Sequence, residues 1–76
     1  MMLERIRSMI AETFDMDMDD IKPESTWEDI GLDSLDMVDI VIDIENEYDI
    51  EMPDDELENI RTVGELASYV QSKMDD

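Results

Sequence analysis

The chain has 76 residues, and its 24 acidic side chains against 5 basic ones give a net charge of -19. A chain of this size buries only about 60% of its unfolded surface, so a deep catalytic cleft is not expected. The negative charge excludes a nucleic-acid backbone as a direct partner by repulsion, and it predicts partners with basic surfaces. The absence of cysteine excludes disulfides and thiolate metal sites.

Apolar runs in the sequence are short. Ile40-Val41-Ile42 is one of them, and Asp43 ends it, so we expect neither a membrane-inserted segment nor a signal-peptide core. The N-terminal residues already have the pattern of a helix. We therefore expect one domain over residues 1–76, working in the cytoplasm or in an organelle after processing.

The first predicted element is an amphipathic helix that begins at Leu3. Apolar side chains recur at Ile6, Ile10 and Phe14, spacings of three and four residues that place them on one helical face. The pattern predicts that this helix ends near residues 13–15.

Residues 15–33 lose this period and contain proline and glycine, which predicts a long connection with a short turn of helix inside. Ile21, Trp27 and Ile30 are its expected anchors to the core. Recognition of a partner is the alternative role for Trp27, but a lone tryptophan in a domain short of apolar area is more often used for packing.

The beginning of this connection matches the start of a calcium-binding loop at Asp15, Asp17 and Asp19. The match fails at two deciding positions, because Asp20 stands where the loop needs glycine and Thr26 stands where it needs glutamate. We therefore predict no metal site, and expect only loose binding of divalent ions to the acidic surface.

The most informative helix is predicted from Ser34 to about Tyr48, with Asp33 as its N-cap and Asp36 in its first turn. One broad face should be buried, and it consists of Met37, Ile40, Val41, Ile44 and Tyr48. The opposite face is an acidic stripe formed by Asp36, Asp39, Asp43 and Glu47. Between the two lies an apolar row that begins beside Ser34 and consists of Leu35, Val38 and Ile42.

An apolar row next to an acidic stripe is typical of a docking surface. The alternative is that the acids form a solvated face and that the row is the margin of the core. Like charges at these spacings destabilise a helix, which favours a use for them. No Lys or Arg occurs between Lys22 and Arg61, so we expect this region to attract basic partner surfaces.

Two more helices are predicted in the last third of the chain. Pro53 precedes a short one over residues 55–59, with Leu57 and Ile60 in the core. Thr62-Val63-Gly64-Glu65 has the form of a capping box and starts the last helix at Val63. The expected buried face of this helix consists of Leu66, Ala67, Val70 and Met74, with Tyr69 at its edge. Residues 75–76 should be frayed.

The sequence lacks the groups that a self-contained nucleophilic enzyme needs. It has no histidine or cysteine, so no imidazole base can activate Ser34, and Lys22 and Lys73 lie far from it in the chain. No carboxyl group is marked by its neighbours as a general acid or base. We expect a protein that is not an enzyme.

The chain resembles an acyl carrier protein. The resemblance is carried by Asp33-Ser34-Leu35-Asp36 leading into residues 37–41 in a strongly acidic chain, and it extends from the helix of Leu3 to that of Val70. It implies an all-α fold, a small bundle of three main helices plus one short helix with a long first loop. It also implies that Ser34, flanked by Asp33 and Leu35, carries 4'-phosphopantetheine from coenzyme A in phosphodiester linkage.

The resemblance further implies that the thiol of this arm holds an acyl group as a thioester. The expected partners are a phosphopantetheinyl transferase and the basic surfaces of fatty acid synthesis enzymes and acyltransferases, met by a monomer. They would dock on Leu35, Asp36, Asp39, Ile42, Asp43 and Glu45. The acyl chain would be sheltered by Met37, Ile40, Ile44, Met52, Leu57, Ile60 and Leu66.

Within the family, Asp33 before Ser34 and the acidity look like the carrier of dissociated fatty acid synthesis, with a stand-alone polyketide or aminoacyl carrier as the alternative. Two residues depart from its usual pattern, Trp27 in the first loop and Ile42 where methionine is common. The alternative from another class is an acidic interaction protein without a cofactor, such as a mimic of nucleic acid.

Overall fold

The computed structural model describes residues 1–75, which form four α-helices joined by turns and loops. The helices are Met2–Phe14 (α1), Ser34–Tyr48 (α2), Asp54–Leu57 (α3) and Val63–Met74 (α4). No strand runs through this part of the chain, in which Thr26 and Thr62 form an isolated β-bridge. The predicted all-α class, with three main helices and one short one, is confirmed.

One apolar core lies between the helices and under the first loop. α1 packs mainly along α4 and also touches α2. The largest side chains that are fully buried are Ile6, Ile10, Ile21, Ile40, Ile44, Val63, Leu66 and Val70. The core therefore draws on α1, α2, α4 and the connection between α1 and α2.

α1 forms from the apolar stripe that the sequence predicts. Ile6 and Ile10 are fully buried, and Phe14 is half-buried against the same core. The helix begins at Met2, slightly earlier than predicted, and ends at Phe14. It ends there because Asp15 takes a left-handed conformation, with φ 55° and ψ 52°, and its N–H bonds back to the last turn.

The connection at residues 15–33 contains two 3-10 turns, where the sequence predicts one turn of helix. The turns are Met18–Asp20 and Glu28–Ile30. Of the predicted anchors, Ile21 is fully buried, and Trp27 and Ile30 are half-buried against the core. The packing role predicted for these three side chains is confirmed.

Arg7 of α1 fastens the first half of this connection. Its Nε–H donates to the carbonyl oxygen of Ile21 at 2.5 Å, and its Nη2–H donates to that of Met18 at 2.7 Å. Hydrogen bonds from a charged donor are stronger than neutral ones. One side chain thus satisfies two loop carbonyls and fixes the loop to α1.

The N-terminus of α4 fastens the second half. The N–H of Val63 donates to the carbonyl oxygen of Ser25 at 3.0 Å, and the N–H of Gly64 donates to that of Pro23 at 2.8 Å. A Cβ at position 64 would lie 2.9 Å from the Pro23 oxygen, so glycine is required for this approach. These bonds satisfy two of the N–H groups that a helix start leaves without partners.

α2 begins and ends where the sequence predicts. Ile40, Val41 and Ile44 are buried, and Met37 and Tyr48 are half-buried against the core, which confirms the predicted face. The helix ends at Tyr48 because the next residue, an aspartate, takes the left-handed conformation with φ 55°.

The short helix α3 occupies Asp54–Leu57, so the predicted range 55–59 was wrong at both ends. The helix begins at residue 54 because the carbonyl oxygen of Pro53 accepts the N–H groups of Glu56 and Leu57, at 3.1 and 3.2 Å. Leu57 and Ile60 are buried, as predicted.

α4 begins at Val63, as predicted, and Thr62 is its N-cap. The Thr62 hydroxyl oxygen accepts the N–H of Glu65 at 3.1 Å. The Glu65 carboxylate, however, accepts from that hydroxyl at 3.3 Å, where a capping box would have it accept from the Thr62 backbone N–H. The predicted capping box is therefore only half formed.

The predicted buried face of α4 is confirmed at Leu66, Ala67 and Val70 and is wrong at Met74, which is 43% exposed. Met74 stands on the last turn, past the last buried residue of the helix. The N–H of Asp75 donates to the preceding turn of α4 at 3.1 Å, and the fraying expected at this residue stays a prediction. The same prediction for residue 76 lies outside the described residues.

The end of α1 offers a test of helix electrostatics. Asp15 places a negative charge at the C-terminus of α1, where the helix dipole is unfavourable to it, while asparagine keeps the tolerance for a positive φ. We expect Asp15→Asn to raise the free energy of unfolding by about 0.3–1 kcal/mol in urea melts.

The matched control is Glu4→Gln, because it removes the same charge from the first turn of the same helix, where an acid is favourable. Equal gains in the two variants would show that relief of net charge is the whole effect and that the position on the helix is irrelevant.

Candidate functional site

Ser34 is the first residue of α2, and the chain around it is rigidly held. The Asp33 carboxylate accepts the N–H of Asp36 at 3.0 Å, and the Asp36 carboxylate accepts the N–H of Asp33 at 3.2 Å. Gly31, with φ 78°, ends the preceding turn, and Leu32 is buried. Because Asp33 and Asp36 cap the helix between them, the hydroxyl of the exposed Ser34 is not needed for capping.

A cavity of about 790 Å³ opens beside Ser34, a volume in the range of small-molecule sites. It lies between the start of α2, the second 3-10 turn, α3 and the residues before α4. Its walls are formed by Thr26, Trp27, Glu28, Leu32, Asp33, Ser34, Met37, Val38, Asp54, Leu57, Glu58, Ile60 and Arg61.

The residues predicted to shelter an acyl chain are divided by the structure into two groups. Met37, Leu57 and Ile60 line the cavity beside Ser34. The others lie in the core and do not line it, and they are Ile40, Ile44, Met52 and Leu66. A chain entering through this cavity would meet the first group before it reached the second.

Among the cavity residues that the sequence did not place there, Arg61 and Trp27 are the most informative. Arg61 is the one basic side chain of the cavity, and it reaches this place because the bridge between Thr26 and Thr62 joins the first loop to the start of α4. Trp27 was expected as a core anchor, with recognition of a partner as the alternative. Two features of the sequence could have indicated that Trp27 lies beside the cavity, namely its position after Thr26 and its polar indole N–H.

The apolar row of α2 is open to solvent. Leu35 is 75% exposed, Val38 is 42% exposed and Ile42 is 48% exposed, so these side chains are not the margin of the core. Neighbouring exposed apolar side chains at helical spacing are available for contact with a partner.

The acidic stripe beside this row is less uniform than the sequence suggests. Asp36 takes part in the cap of α2, Asp43 accepts from the Thr13 hydroxyl at 3.3 Å, and Glu47 pairs with Arg5 at 2.5 Å. Within residues 1–75 the carboxylate of Asp39 has no such partner and is exposed.

Glu45, which the sequence assigned to the docking face, has a structural role. Its carboxylate accepts the N–H of Met52 at 2.9 Å and the side chain is half-buried. This bond holds the chain after α2 against the helix. Of the predicted docking residues, Leu35, Asp39 and Ile42 are therefore the ones that are exposed and make no side-chain hydrogen bond within the described residues.

α3, which forms one wall of the cavity, is held to α4 by a small polar cluster. The Tyr69 hydroxyl donates to the Glu56 carboxylate at 2.5 Å, the Lys73 ammonium lies 3.3 Å from the same oxygen, and it also lies 5.5 Å from the centre of the Tyr69 ring. Burial, followed by the bond to Glu56, raises the pKa of Tyr69. The bonds from Tyr69 and Lys73 lower the pKa of Glu56.

This cluster predicts a dependence of stability on alkaline pH. A tyrosine whose pKa is raised on folding contributes stability that is fully present below its unfolded pKa, about 10, and is lost above it. Tyr69→Phe should therefore unfold at lower urea than the parent at pH 7, and the difference should shrink above pH 10. Parallel urea melts at pH 7 and above pH 10 measure this, and a difference that stayed constant would show that folding does not raise the pKa of Tyr69.

The described residues contain neither a metal-binding group nor a membrane span. No cluster of three or more His, Cys, Asp or Glu side chains is arranged to hold a metal ion in them. No helix among them combines the length and the apolar character required to cross a bilayer. What the site offers is an exposed hydroxyl without a base of its own, beside a largely apolar cavity.

An exposed serine at the start of a capped helix, in a small acidic bundle, is the arrangement expected of a carrier-type attachment domain. Residues 4–70 match the family described as the phosphopantetheine attachment site. The chain is also 38% identical over 77 residues to the acyl carrier protein of Clostridium acetobutylicum, with the full length of both chains covered. The chain belongs to the acyl carrier protein family.

Membership of this family means that the chain carries 4'-phosphopantetheine covalently and meets a phosphopantetheinyl transferase and biosynthetic enzymes. The structure fits the group in two respects. A free hydroxyl stands at the N-terminus of a helix of 15 residues, where the backbone favours a phosphate. The adjoining cavity also contains a side chain, Trp27, whose buried N–H lacks an acceptor in the described chain.

Proposed function

We propose that this protein carries growing acyl chains as thioesters on a 4'-phosphopantetheine arm attached to Ser34, and presents them to the enzymes of fatty acid biosynthesis. The observation that supports Ser34 most is its exposure on a helix start that Asp33 and Asp36 already cap. The whole chain, residues 1–76, acts as one carrier domain and as a substrate, not as a catalyst.

In the attachment step, the Ser34 oxygen forms a bond to the phosphorus of coenzyme A that bears the pantetheine. The pyrophosphate bond breaks, and adenosine 3',5'-bisphosphate leaves. The proton of the hydroxyl passes to a base of the transferase, because this chain has no histidine and the neighbouring carboxylates of Asp33 and Asp36 are engaged in the cap of α2. The thiol that the arm supplies then holds the acyl group as a thioester.

The chain's own residues position this chemistry. Asp33 and Asp36 fix the start of α2, so the attachment oxygen has a constant place. The negative charge of these carboxylates repels that of a phosphodiester. The same charge attracts the divalent ion or the basic surface of the transferase, which is the role that we assign to it. Leu35 next to Ser34 offers an exposed apolar contact to the same partner.

Partner enzymes dock on α2 through the apolar row and the acidic stripe. Leu35 and Ile42 provide apolar area, and Asp39 provides a charge with no competing partner within residues 1–75. Asp36, Asp43 and Glu45 contribute negative potential while they serve the fold. The partners are basic, since a region from Lys22 to Arg61 without other cations faces them.

The acyl chain enters the cavity beside Ser34. Met37, Leu57 and Ile60 line its path, and Ile40, Ile44, Met52 and Leu66 lie deeper in the core. Burial of apolar chain atoms among them contributes about 25 cal/mol per Å². We propose further that the protein works in an aqueous compartment, the cytoplasm or the interior of an organelle, and that it does so as a monomer.

The experiment that tests this function is an intact mass measurement after incubation with coenzyme A, Mg²⁺ and a phosphopantetheinyl transferase of broad specificity. A gain of one phosphopantetheine, located on Ser34 by peptide mapping, is expected. No gain would contradict the function and favour an acidic interaction protein without a cofactor. The modified protein is then supplied as the sole carrier to the separate enzymes of fatty acid synthesis, where a polyketide or aminoacyl carrier would fail to support chain elongation.

A further inference from the structure

Trp27 has a defined place beside Ser34. It precedes the second 3-10 turn, and its carbonyl oxygen accepts the N–H of Leu32 at 2.8 Å, so the backbone between the two is closed into a turn. The half-buried side chain packs against the core and also lines the cavity. It therefore borders both the attachment point and the apolar interior.

The indole N–H of Trp27 lacks a hydrogen-bond acceptor. The Nε1 atom is screened from solvent, and no acceptor lies within reach in residues 1–75. Buried donors without partners are rare in folded proteins, because each loses its bond to water and gains nothing in return. A phenylalanine at this position would pack without that loss. The tryptophan is therefore suited to an acceptor that comes from outside the chain and that reaches the indole nitrogen once the side chains covering it move aside.

We propose that the indole N–H of Trp27 positions the cargo of this carrier by donating a hydrogen bond to a carbonyl oxygen of the acylated arm. This inference rests on the proposed function. The arm and its thioester supply amide and thioester carbonyl groups, and an acyl chain that enters among Met37, Leu57 and Ile60 draws them towards the cavity wall. A carbonyl oxygen removed from water needs a hydrogen-bond donor, and the indole N–H of Trp27 is a donor without a partner in residues 1–75.

The test uses the fact that the chain has one tryptophan, so a ¹⁵N spectrum contains one indole N–H signal. Four forms are compared: the unmodified chain, the arm alone, the arm with an octanoyl thioester, and the arm with an octyl thioether that lacks the thioester carbonyl. We expect the indole proton of the octanoyl form to move downfield and to exchange more slowly with solvent than in the unmodified chain.

The four forms also distinguish which carbonyl is bound. A change in the thioester form alone identifies the thioester oxygen, and a change that the thioether or the bare arm shares identifies an amide oxygen of the arm. Both results support the proposal. An indole signal that is identical in all four forms, with modification of Ser34 verified by mass, overturns it while leaving the proposed function intact.

A variant adds a functional measurement. Trp27→Phe, loaded with the octanoyl thioester, should be cleaved by hydroxylamine on the order of three- to tenfold faster than the parent, as expected from loss of one hydrogen bond that holds the thioester inside. Phe14→Leu is the control, since Phe14 is half-buried in the same core but does not line the cavity. Equal acceleration in the two variants would assign the effect to stability and contradict the proposal, and the spectra of the parent decide the question if Trp27→Phe does not fold.

Discussion

With Ser34 replaced by alanine, the chain is expected to gain no mass on incubation with coenzyme A, Mg²⁺ and the transferase, while the parent gains one phosphopantetheine. The reason is chemical, because alanine has no oxygen that can bond to phosphorus. The loss should be complete, since within residues 1–75 no other serine stands at the start of a capped α-helix. Intact mass spectrometry measures both proteins in the same reaction.

The substitution should leave the fold unchanged. Asp33 and Asp36 make the cap of α2, and Ser34 is exposed, so we expect the free energy of unfolding to change by no more than about 0.5 kcal/mol. Ser68→Ala is the matched control, because Ser68 is an exposed serine on α4 and should load as the parent does. Loading of Ser34→Ala to any extent would show that the arm is attached elsewhere.

The features that the sequence predicts best are those that depend on neighbouring residues. The start of α2 follows from Asp33 and Asp36, whose reciprocal hydrogen bonds span three positions. The buried stripe of α1 follows from the spacing of Ile6 and Ile10. Capping and helical periodicity are local properties, and they are therefore visible in the chain before it folds.

Features that join distant parts of the chain could not be predicted in the same way. The sequence shows four equivalent acids along α2, but the fold brings Arg5 of α1 to Glu47 and Thr13 to Asp43. It also turns the Glu45 carboxylate towards Met52. Which acids remain available to a partner is thus decided by tertiary contacts, and Asp39 is identified only by the structure.

The cavity beside Ser34 shows the same limit. Helical spacing places Met37 and Ile40 on one apolar face, yet the first lines the cavity and the second is fully buried. The difference arises from the opposite wall, which α3 and Arg61 form after the chain has turned back at the bridge between Thr26 and Thr62. A pattern within one helix contains no information about that wall.

The accessible charge on α2 leads to the second prediction. Asp39→Lys is expected to lower the rate of loading by the transferase at low salt by on the order of tenfold, because steering between opposite charges accelerates association by 10-fold or more. Asp39 is exposed and has no internal partner within residues 1–75, so its replacement costs no hydrogen bond or ion pair of the described fold. The initial rate of mass gain, taken at limiting carrier concentration, measures the effect.

Glu12→Lys is the matched control for charge, since Glu12 is exposed on α1 and its replacement changes the net charge by the same amount. If attraction depended only on net charge, the two variants would be slowed equally, and docking on α2 would be contradicted. A specific effect of Asp39 should also fade as salt rises from about 0.05 to about 1 M, because the screening length falls to about 3 Å.

The apolar part of the same surface can be separated from the charged part by the salt dependence. Ile42 is 48% exposed and adjoins Asp39 on the helix surface. Ile42→Gln should therefore also slow loading, because it removes apolar contact with the transferase. Its effect should persist at high salt, where that of Asp39→Lys has faded, because apolar burial is not screened by ions. If both effects faded together, the surface would act through charge alone, and the exposed row of Leu35, Val38 and Ile42 would have no role in docking.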